Sequence, residues 1–128
     1  MSKVNKLNKI LLVEDDETSN FISKILLEKQ GYKDVHEVFN GKDACDFLAK
    51  QCPDIIFLDI SMPVMDGWGF LEHKKNIERC PDIKVAMLTS SIRSGDRYKA
   101  SKYSCVVDYI EKPLSISKLE AIMAKLKG

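Results

Sequence analysis

The chain has 128 residues, 45% of them hydrophobic, and its 20 Lys and Arg residues nearly balance its 19 Asp and Glu residues. This length suits a single domain, which we predict over residues 1–128 with a core at about 8–127. The charge balance argues against a dedicated nucleic-acid-binding protein, which usually has a strong basic excess. Apolar runs are only a few residues long, so we expect no membrane span, no secretory signal and a cytoplasmic location.

The four cysteines carry no recognisable pattern. Cys45, Cys52, Cys80 and Cys105 form no C-x-x-C pair, and the chain contains two histidines. Neither a zinc site nor a disulfide framework is therefore expected. We predict reduced thiols that lie in the core or on a helix, as is usual for a cytosolic protein.

Short apolar runs recur along the chain and predict strands. Continuous runs occupy residues 10–13, 55–58 and 85–88, a further one opens at 105–107, and a weaker strand is predicted at 35–39. Runs of this length are typical of parallel strands that are covered on both faces.

Helical spacing of apolar residues fills the intervals between the strands. Apolar stripes at 21–26, 44–48, 70–77 and 119–126 predict four helices, and a more polar helix is predicted at about 93–103. Asp16 suits the N-cap of the first helix, and Ser117 with Glu120 matches a capping box for the last. Five strand–helix repeats predict an α/β protein with a parallel sheet between two helix layers.

Polar residues fall where the predicted strands end. Glu14 and Asp15 follow the first strand, Asp59 the third, Thr89 the fourth and Lys112 the fifth. The carboxyl ends of parallel strands meet at one edge of the sheet, where open α/β sheets bind their ligands. We therefore expect these five side chains to converge on one cleft.

The chemistry of this set indicates a cation site suited to phosphoryl transfer. Three carboxylates close together repel one another strongly, so they need a cation or a proton. Oxygen ligands favour a hard ion such as Mg²⁺ or Mn²⁺ over zinc. Lys112 and Thr89 add an ammonium group and a hydroxyl that can bind phosphate oxygens, and a carboxylate can act as the nucleophile.

Four segments together resemble the response-regulator receiver domain: VEDD at 13–16, LDISMPVMDG at 58–67, LTS at 88–90 and YIEKP at 109–113. The resemblance covers nearly the whole chain. It implies a flavodoxin-like, doubly wound sheet of five parallel strands in the order 2-1-3-4-5, with five helices in a three-layer sandwich. It also implies a cytoplasmic phosphoacceptor switch, not an enzyme with its own substrate.

The resemblance assigns roles to individual residues. It implies that Asp59 is the phosphoacceptor and becomes a 4-aspartylphosphate, and that Glu14, Asp15, Asp59 and the Ser61 carbonyl hold Mg²⁺ or Mn²⁺. The first acidic position is a glutamate, so its contact with the ion is expected to run through water. Thr89 and Lys112 are expected to bind the phosphoryl group.

The same resemblance implies a switch and its partners. Tyr109 matches the aromatic residue that turns inward when Thr89 moves, and the Lys112–Pro113 bond is expected to be cis. A sensor histidine kinase or a histidine phosphotransfer protein is the implied phosphodonor. A downstream protein is expected to bind the face of the fourth helix, fifth strand and fifth helix, with five basic residues on this face: Arg93, Arg97, Lys99, Lys102 and Lys118. No direct nucleic-acid or membrane partner is expected.

Other function classes fit the residues less well. An aspartyl-phosphate phosphatase usually carries Asp-x-Asp after its first strand, whereas Asp59 follows the third strand and Ser61 stands two places later. A flavin-binding module needs a loop rich in Ser, Thr and Gly where this chain has Glu-Asp-Asp. A degenerate receiver that serves only for docking would lack part of the residue set, which is complete here.

Overall fold

The structure is a computed structural model that describes residues 9–91 and 93–127. Strands and helices alternate along this part of the chain. In chain order they are β1 (Lys9–Val13), α1 (Glu17–Lys29), β2 (Asp34–Val38), α2 (Gly41–Lys50), β3 (Ile55–Leu58), α3 (Gly67–Lys75), β4 (Lys84–Thr89), α4 (Ser94–Ser101), β5 (Val106–Glu111) and α5 (Ile116–Lys127). None of the helices in the described ranges is long and apolar enough to cross a bilayer.

The five strands form one parallel sheet in the order β2-β1-β3-β4-β5. The predicted fold class and strand order are thereby confirmed. β1 pairs with β2 on one side and with β3 on the other, so the strand order reverses beside β1. A crevice is expected at the carboxyl ends of the strands at such a reversal, because the flanking connections leave toward opposite faces of the sheet.

The core consists of two layers, one on each face of the sheet. Alternate residues of each strand point to opposite faces, so both faces must be apolar to be covered. On one face, Leu11 and Leu58 pack with residues from α2, α3 and α4, among them Phe70. On the other, Leu12 and Phe57 pack with residues from α1 and α5. This two-sided burial explains why the strands are apolar runs without alternation.

Short polar side chains begin the helices near the site. Asp16 caps α1 by accepting from the Thr18 N–H at 3.1 Å, as predicted, and Asp66 caps α3 by accepting from Gly69 at 2.9 Å. The capping box predicted at Ser117 is wrong. Ser115 occupies that role, because its hydroxyl accepts from the Lys118 N–H at 3.2 Å and α5 begins one residue after it.

The prediction of four reduced thiols is also wrong. Cys52, just after α2, and Cys80, between α3 and β4, form a disulfide with a Cα separation of 5.4 Å. Arg79 reinforces this junction by donating to the Leu48 carbonyl at the end of α2, at 2.7 Å. Cys45 and Cys105 are free thiols, as expected. The bridge therefore links the chain just after α2 to the segment before β4, 28 residues later in the sequence.

Candidate phosphorylation site

The three predicted carboxylates meet at the carboxyl ends of β1 and β3. Glu14, Asp15 and Asp59 each place one oxygen within 4.8 Å of the others. Glu14 and Asp59 are buried, whereas Asp15 is exposed. The Asp59 carboxylate accepts from the following backbone N–H, that of Ile60, at 2.7 Å, which fixes its orientation. This oxygen-only cluster suits a hard divalent ion.

Lys112 supplies the positive charge in this pocket. It reaches in from the end of β5, where its ammonium group forms an ion pair with Glu14 and a second one with Asp59 at 3.1 Å. The side chain of Lys112 is 21% exposed, so it lies at the mouth of the pocket. The structure therefore confirms that residues from three distant strand ends share one cleft.

The pKa values report the charge imbalance of the pocket. Burial raises the pKa of the Glu14 carboxyl to about 7, with a further increase from the charge of Asp59 and an opposing decrease from Lys112. Burial alone would lower the pKa of Lys112, but its hydrogen bonds and charge interactions with Glu14 and Asp59 outweigh this and raise the pKa. The two shifts have different main causes, burial for Glu14 and the neighbouring carboxylates for Lys112, but both favour the protonated form of the group.

Thr89 and Tyr109 lie beside this pocket and share a connection through Ser91. Thr89 is buried, and its hydroxyl accepts from the Ser91 N–H at 3.2 Å. The Tyr109 hydroxyl donates to the Ser91 carbonyl at 3.1 Å, and its ring is only 9% exposed. Arg97 covers this ring with its guanidinium 4.8 Å from the ring centre. Tyr109 therefore occupies an inward position.

Two residues position the site in ways that the sequence did not predict: Asn20 was not singled out, and Lys118 was expected only as a basic residue of the downstream face. Asn20 is 1% exposed on α1, and its side-chain amide donates to the Glu14 carbonyl at 2.9 Å. The Lys118 ammonium donates to the carbonyls of Glu111 and Pro113, at 2.7 and 3.1 Å, on both sides of Lys112. The Lys112–Pro113 bond is cis, as the resemblance implied. A polar residue on the first helix, five positions after Asp15, was the available signal for Asn20.

The loop after Asp59 returns to contact its own start through a glycine. The Gly67 N–H donates to the Ile60 carbonyl at 2.9 Å. A Cβ atom on Gly67 would lie 2.4 Å from the Asp59 carbonyl oxygen and 3.1 Å from the Ile60 Cα. No side chain fits there without moving the backbone of the phosphoacceptor candidate.

Gly67→Ala is therefore expected to destabilise the fold by about 2 kcal/mol or more, because the clash involves backbone that cannot yield cheaply. Gly95 in α4 is the matched control, since nothing lies within 4 Å of its added Cβ. Gly95→Ala should stabilise by about 0.5–1 kcal/mol through the higher helix propensity of alanine. Urea unfolding of both variants tests this pair. Equal stabilities of the two would contradict the close approach at Gly67.

Lys112→Met is expected to destabilise the fold by about 2 kcal/mol without divalent ions, because buried Glu14 and Asp59 lose their counter-charge. Protonation of Glu14 limits this cost. Addition of Mg²⁺ should stabilise the variant more than the wild type, which urea unfolding with and without the ion measures. Lys125→Met, which breaks a pair between exposed Lys125 and half-buried Asp108 at 3.2 Å, should cost less than about 1 kcal/mol. An equal response of Lys112→Met and wild type to Mg²⁺ would contradict the proposed pocket.

Comparison with known proteins identifies the family. The family model described as the response regulator receiver domain matches residues 10–124. The chain therefore belongs to the response regulator receiver domain family of two-component signalling. Members of this family are phosphoacceptor switches that interact with histidine kinases and downstream targets, and they bind Mg²⁺ in the active site.

Individual relatives agree with this assignment. Response regulator Rre1 of Synechocystis sp. is 31% identical over 117 residues, which make up 91% of this chain and 50% of the relative. The chain thus spans about half the length of that curated relative. A crystal structure of a two-component response regulator from Cytophaga hutchinsonii has a TM-score of 0.88 at 27% identity, and the alignment covers 95% of this chain and 98% of that one.

One solved relative contains a metal ion. The receiver domain of a sensor histidine kinase from Pseudomonas aeruginosa PAO1, 28% identical, has a magnesium ion coordinated in its active-site cleft. Its TM-score is 0.81, and the alignment covers 92% of this chain and 95% of that one.

Proposed function

We propose that the whole of this chain, residues 1–128, acts as one receiver domain that accepts a phosphoryl group on Asp59. The observation that carries this proposal is the position of Asp59, buried between Glu14 and Lys112 at the strand-order reversal. Its carboxylate is oriented by the Ile60 N–H and lies at hydrogen-bond distance from the Lys112 ammonium.

The donor is a phosphohistidine of a sensor kinase or phosphotransfer protein. An Asp59 carboxylate oxygen attacks phosphorus, the bond from phosphorus to the imidazole nitrogen breaks, and an aspartyl phosphate forms. The imidazole leaves with the electron pair of that bond. The chain thus catalyses only its own phosphorylation and dephosphorylation, which sets it apart from an enzyme that turns over a separate substrate.

A divalent ion fits the residues present, because three carboxylate oxygens converge where one ammonium group leaves negative charge uncompensated. Glu14, Asp15, Asp59 and the Ser61 carbonyl would hold Mg²⁺ or Mn²⁺. When bound, the ion neutralises charge on the phosphoryl oxygens. Lys112 binds one of those oxygens, and the Thr89 hydroxyl binds another.

Exposed apolar side chains beside the pocket support a protein as the donor. Phe21 and Ile22 on α1 are 63% and 52% exposed, and Ile116 at the start of α5 is 47% exposed. Ile22, Glu14 and Lys112 line one small cavity of about 60 Å³. Of these residues, Ile22 lies at the pocket itself and offers a docked donor protein an apolar contact.

The signal leaves through the face formed by α4, β5 and α5. Phosphorylation brings about 1.5 to 2 negative charges, which draw Thr89 and Lys112 toward the phosphoryl group. Thr89 and Tyr109 both bond to Ser91, so movement of Thr89 changes the balance between Tyr109 positions and hence the face that a downstream protein binds. This is a shift of population between two states of one fold.

The proposed location is the cytoplasm, where the kinase domains of such systems act. The Cys52–Cys80 disulfide is the feature against it, because reducing compartments seldom retain such bridges. No direct nucleic-acid or membrane contact is part of the proposal.

The experiment is treatment of the wild-type chain with acetyl phosphate, with Mg²⁺ or with excess EDTA, read by intact mass. We expect a gain of one phosphoryl group with Mg²⁺ and a strongly reduced gain with EDTA. Equal incorporation under both conditions would contradict the metal-dependent site, and no incorporation in either, with a phosphohistidine donor also inactive, would contradict the acceptor function.

A further inference from the structure

An open groove of about 830 Å³ lies at the pole opposite Asp59. It runs between the last turns of α3 and α4 and the first residues of β4 and β5, so it is at the amino ends of the strands. Its floor is apolar and includes Leu71 and Ile83, and Glu78 is its only carboxylate within the described ranges. Four lysines line it: Lys74, Lys75, Lys84 and Lys102.

Lys74 is the unusual member of this set. It is 9% exposed on the apolar side of α3, and no carboxylate in the described part of the chain lies within 4.0 Å of its ammonium group. The positive charges of Lys74 and Lys84 both act on the Cys105 thiol, yet burial raises the pKa of that thiol, so it is uncharged at neutral pH and cannot serve as counter-ion. The buried part of Lys74 is its aliphatic stem, because no buried side-chain nitrogen among the described residues lacks a hydrogen-bond partner; its ammonium group therefore faces the open groove.

The face around the groove has an excess of positive charge. Lys99, predicted on the α4–β5–α5 face, instead lies with its ammonium 4.5 Å from the centre of the Trp68 ring on α3. Trp68 stacks on Tyr103 at 6.5 Å. Lys102, predicted on the same face, lines the groove itself. With Lys99, the face has five lysines against three carboxylates, those of Glu72, Glu78 and the exposed Asp82, and Lys75 pairs with Glu72 at 3.5 Å. The net charge of the whole chain is only +1.

We propose that this groove binds an acidic segment of a partner protein, with carboxylates on the lysines and apolar side chains on the floor. The lysines are distributed along the groove walls instead of forming one anion cradle, which suits charges spread along an extended peptide. The near-neutral chain disfavours nucleic acid.

The test is an NMR titration of the ¹⁵N-labelled full chain with a short peptide made of Glu-Glu-Leu repeats. We expect saturable shifts confined to amides of residues that line the groove, such as Lys74, Lys84 and Tyr103. Lys74→Met with Lys84→Gln should raise the Kd about tenfold. Lys42→Gln with Lys125→Gln, which removes two lysines outside the groove, should leave the Kd unchanged.

Thermal unfolding gives a second readout that does not depend on the peptide. Lys74→Met should leave the Tm in the absence of peptide nearly unchanged, because methionine keeps the buried apolar stem and removes only an ammonium group that faces the groove. A clearly lower Tm would show that the ammonium group stabilises the fold itself, and it would overturn the assignment of this charge to the groove. The double variant Lys84→Gln with Lys102→Gln changes only exposed residues, and it should also lower the affinity for the peptide.

Three outcomes would overturn the proposal: shifts centred away from the groove, no saturation, or tighter binding of inorganic triphosphate or single-stranded DNA at the groove. Asp59→Asn should bind the peptide like the wild type, because the groove and the acidic pocket are at opposite ends of the sheet. A failure here therefore leaves the phosphoacceptor proposal intact, and the reverse also holds.

Discussion

Replacing Asp59 with asparagine is expected to abolish incorporation of phosphate from acetyl phosphate. Asparagine keeps the shape of the side chain but has no anionic oxygen that can attack phosphorus. The fold should persist, because the change removes one of three crowded carboxylates and leaves Glu14 to pair with Lys112. Intact mass spectrometry in the presence of Mg²⁺ measures the effect.

Asp66→Asn is the matched control for that experiment. Asp66 lies seven positions after Asp59 and caps α3 through the Gly69 N–H. Asparagine caps helices about as well as aspartate, so this variant should keep both its stability and full labelling. Labelling of Asp59→Asn at the wild-type level would show that another side chain accepts the phosphoryl group.

Removal of the Cys52–Cys80 bridge is expected to have the largest effect on stability. The bridge closes a loop with a sequence separation of 28, and on the chain-entropy account this stabilises the fold by about 3.5 kcal/mol. Since the free energy of unfolding of a domain is about 5–15 kcal/mol, the loss should be obvious. Urea unfolding of Cys52→Ser with Cys80→Ser, compared with wild type without reductant, measures it.

The free cysteines provide the control for the bridge. Cys45→Ser with Cys105→Ser changes two half-buried thiols that close no loop, so the loss should be smaller. Only the wild type and this control should lose stability when a reductant is added. Detection of four reactive thiols in the denatured, unreduced wild-type chain would contradict the bridge.

Much of the fold follows from the sequence because parallel strands buried on both faces leave a direct signal. The apolar runs at 10–13 and 55–58 coincide with β1 and β3 almost to the residue. The acidic pocket follows from the same signal, since the positions of Glu14, Asp59 and Lys112 depend only on where strands end. Helix α4, with few apolar residues, was nevertheless predicted within about two residues of its bounds.

What the sequence did not reveal depends on distances between elements. The disulfide needs Cys52 and Cys80 to come within bonding reach, which depends on how α2 packs against the segment before β4 and leaves no mark in their spacing. Position 67 needs a glycine because a Cβ atom there would lie 2.4 Å from the carbonyl oxygen of Asp59. The cap at Ser115 was assigned to Ser117 because both serines precede the same apolar stripe.

Selective broadening of amide signals by Mn²⁺ tests the central claim most directly, namely that strand ends far apart in sequence build one site for a hard cation. Substoichiometric Mn²⁺ added to the ¹⁵N-labelled chain should first broaden the amides of Glu14, Asp15, Asp59, Ser61 and Lys112, and excess Mg²⁺ should restore them. Broadening centred elsewhere, or broadening that Mg²⁺ does not reverse, would contradict the account.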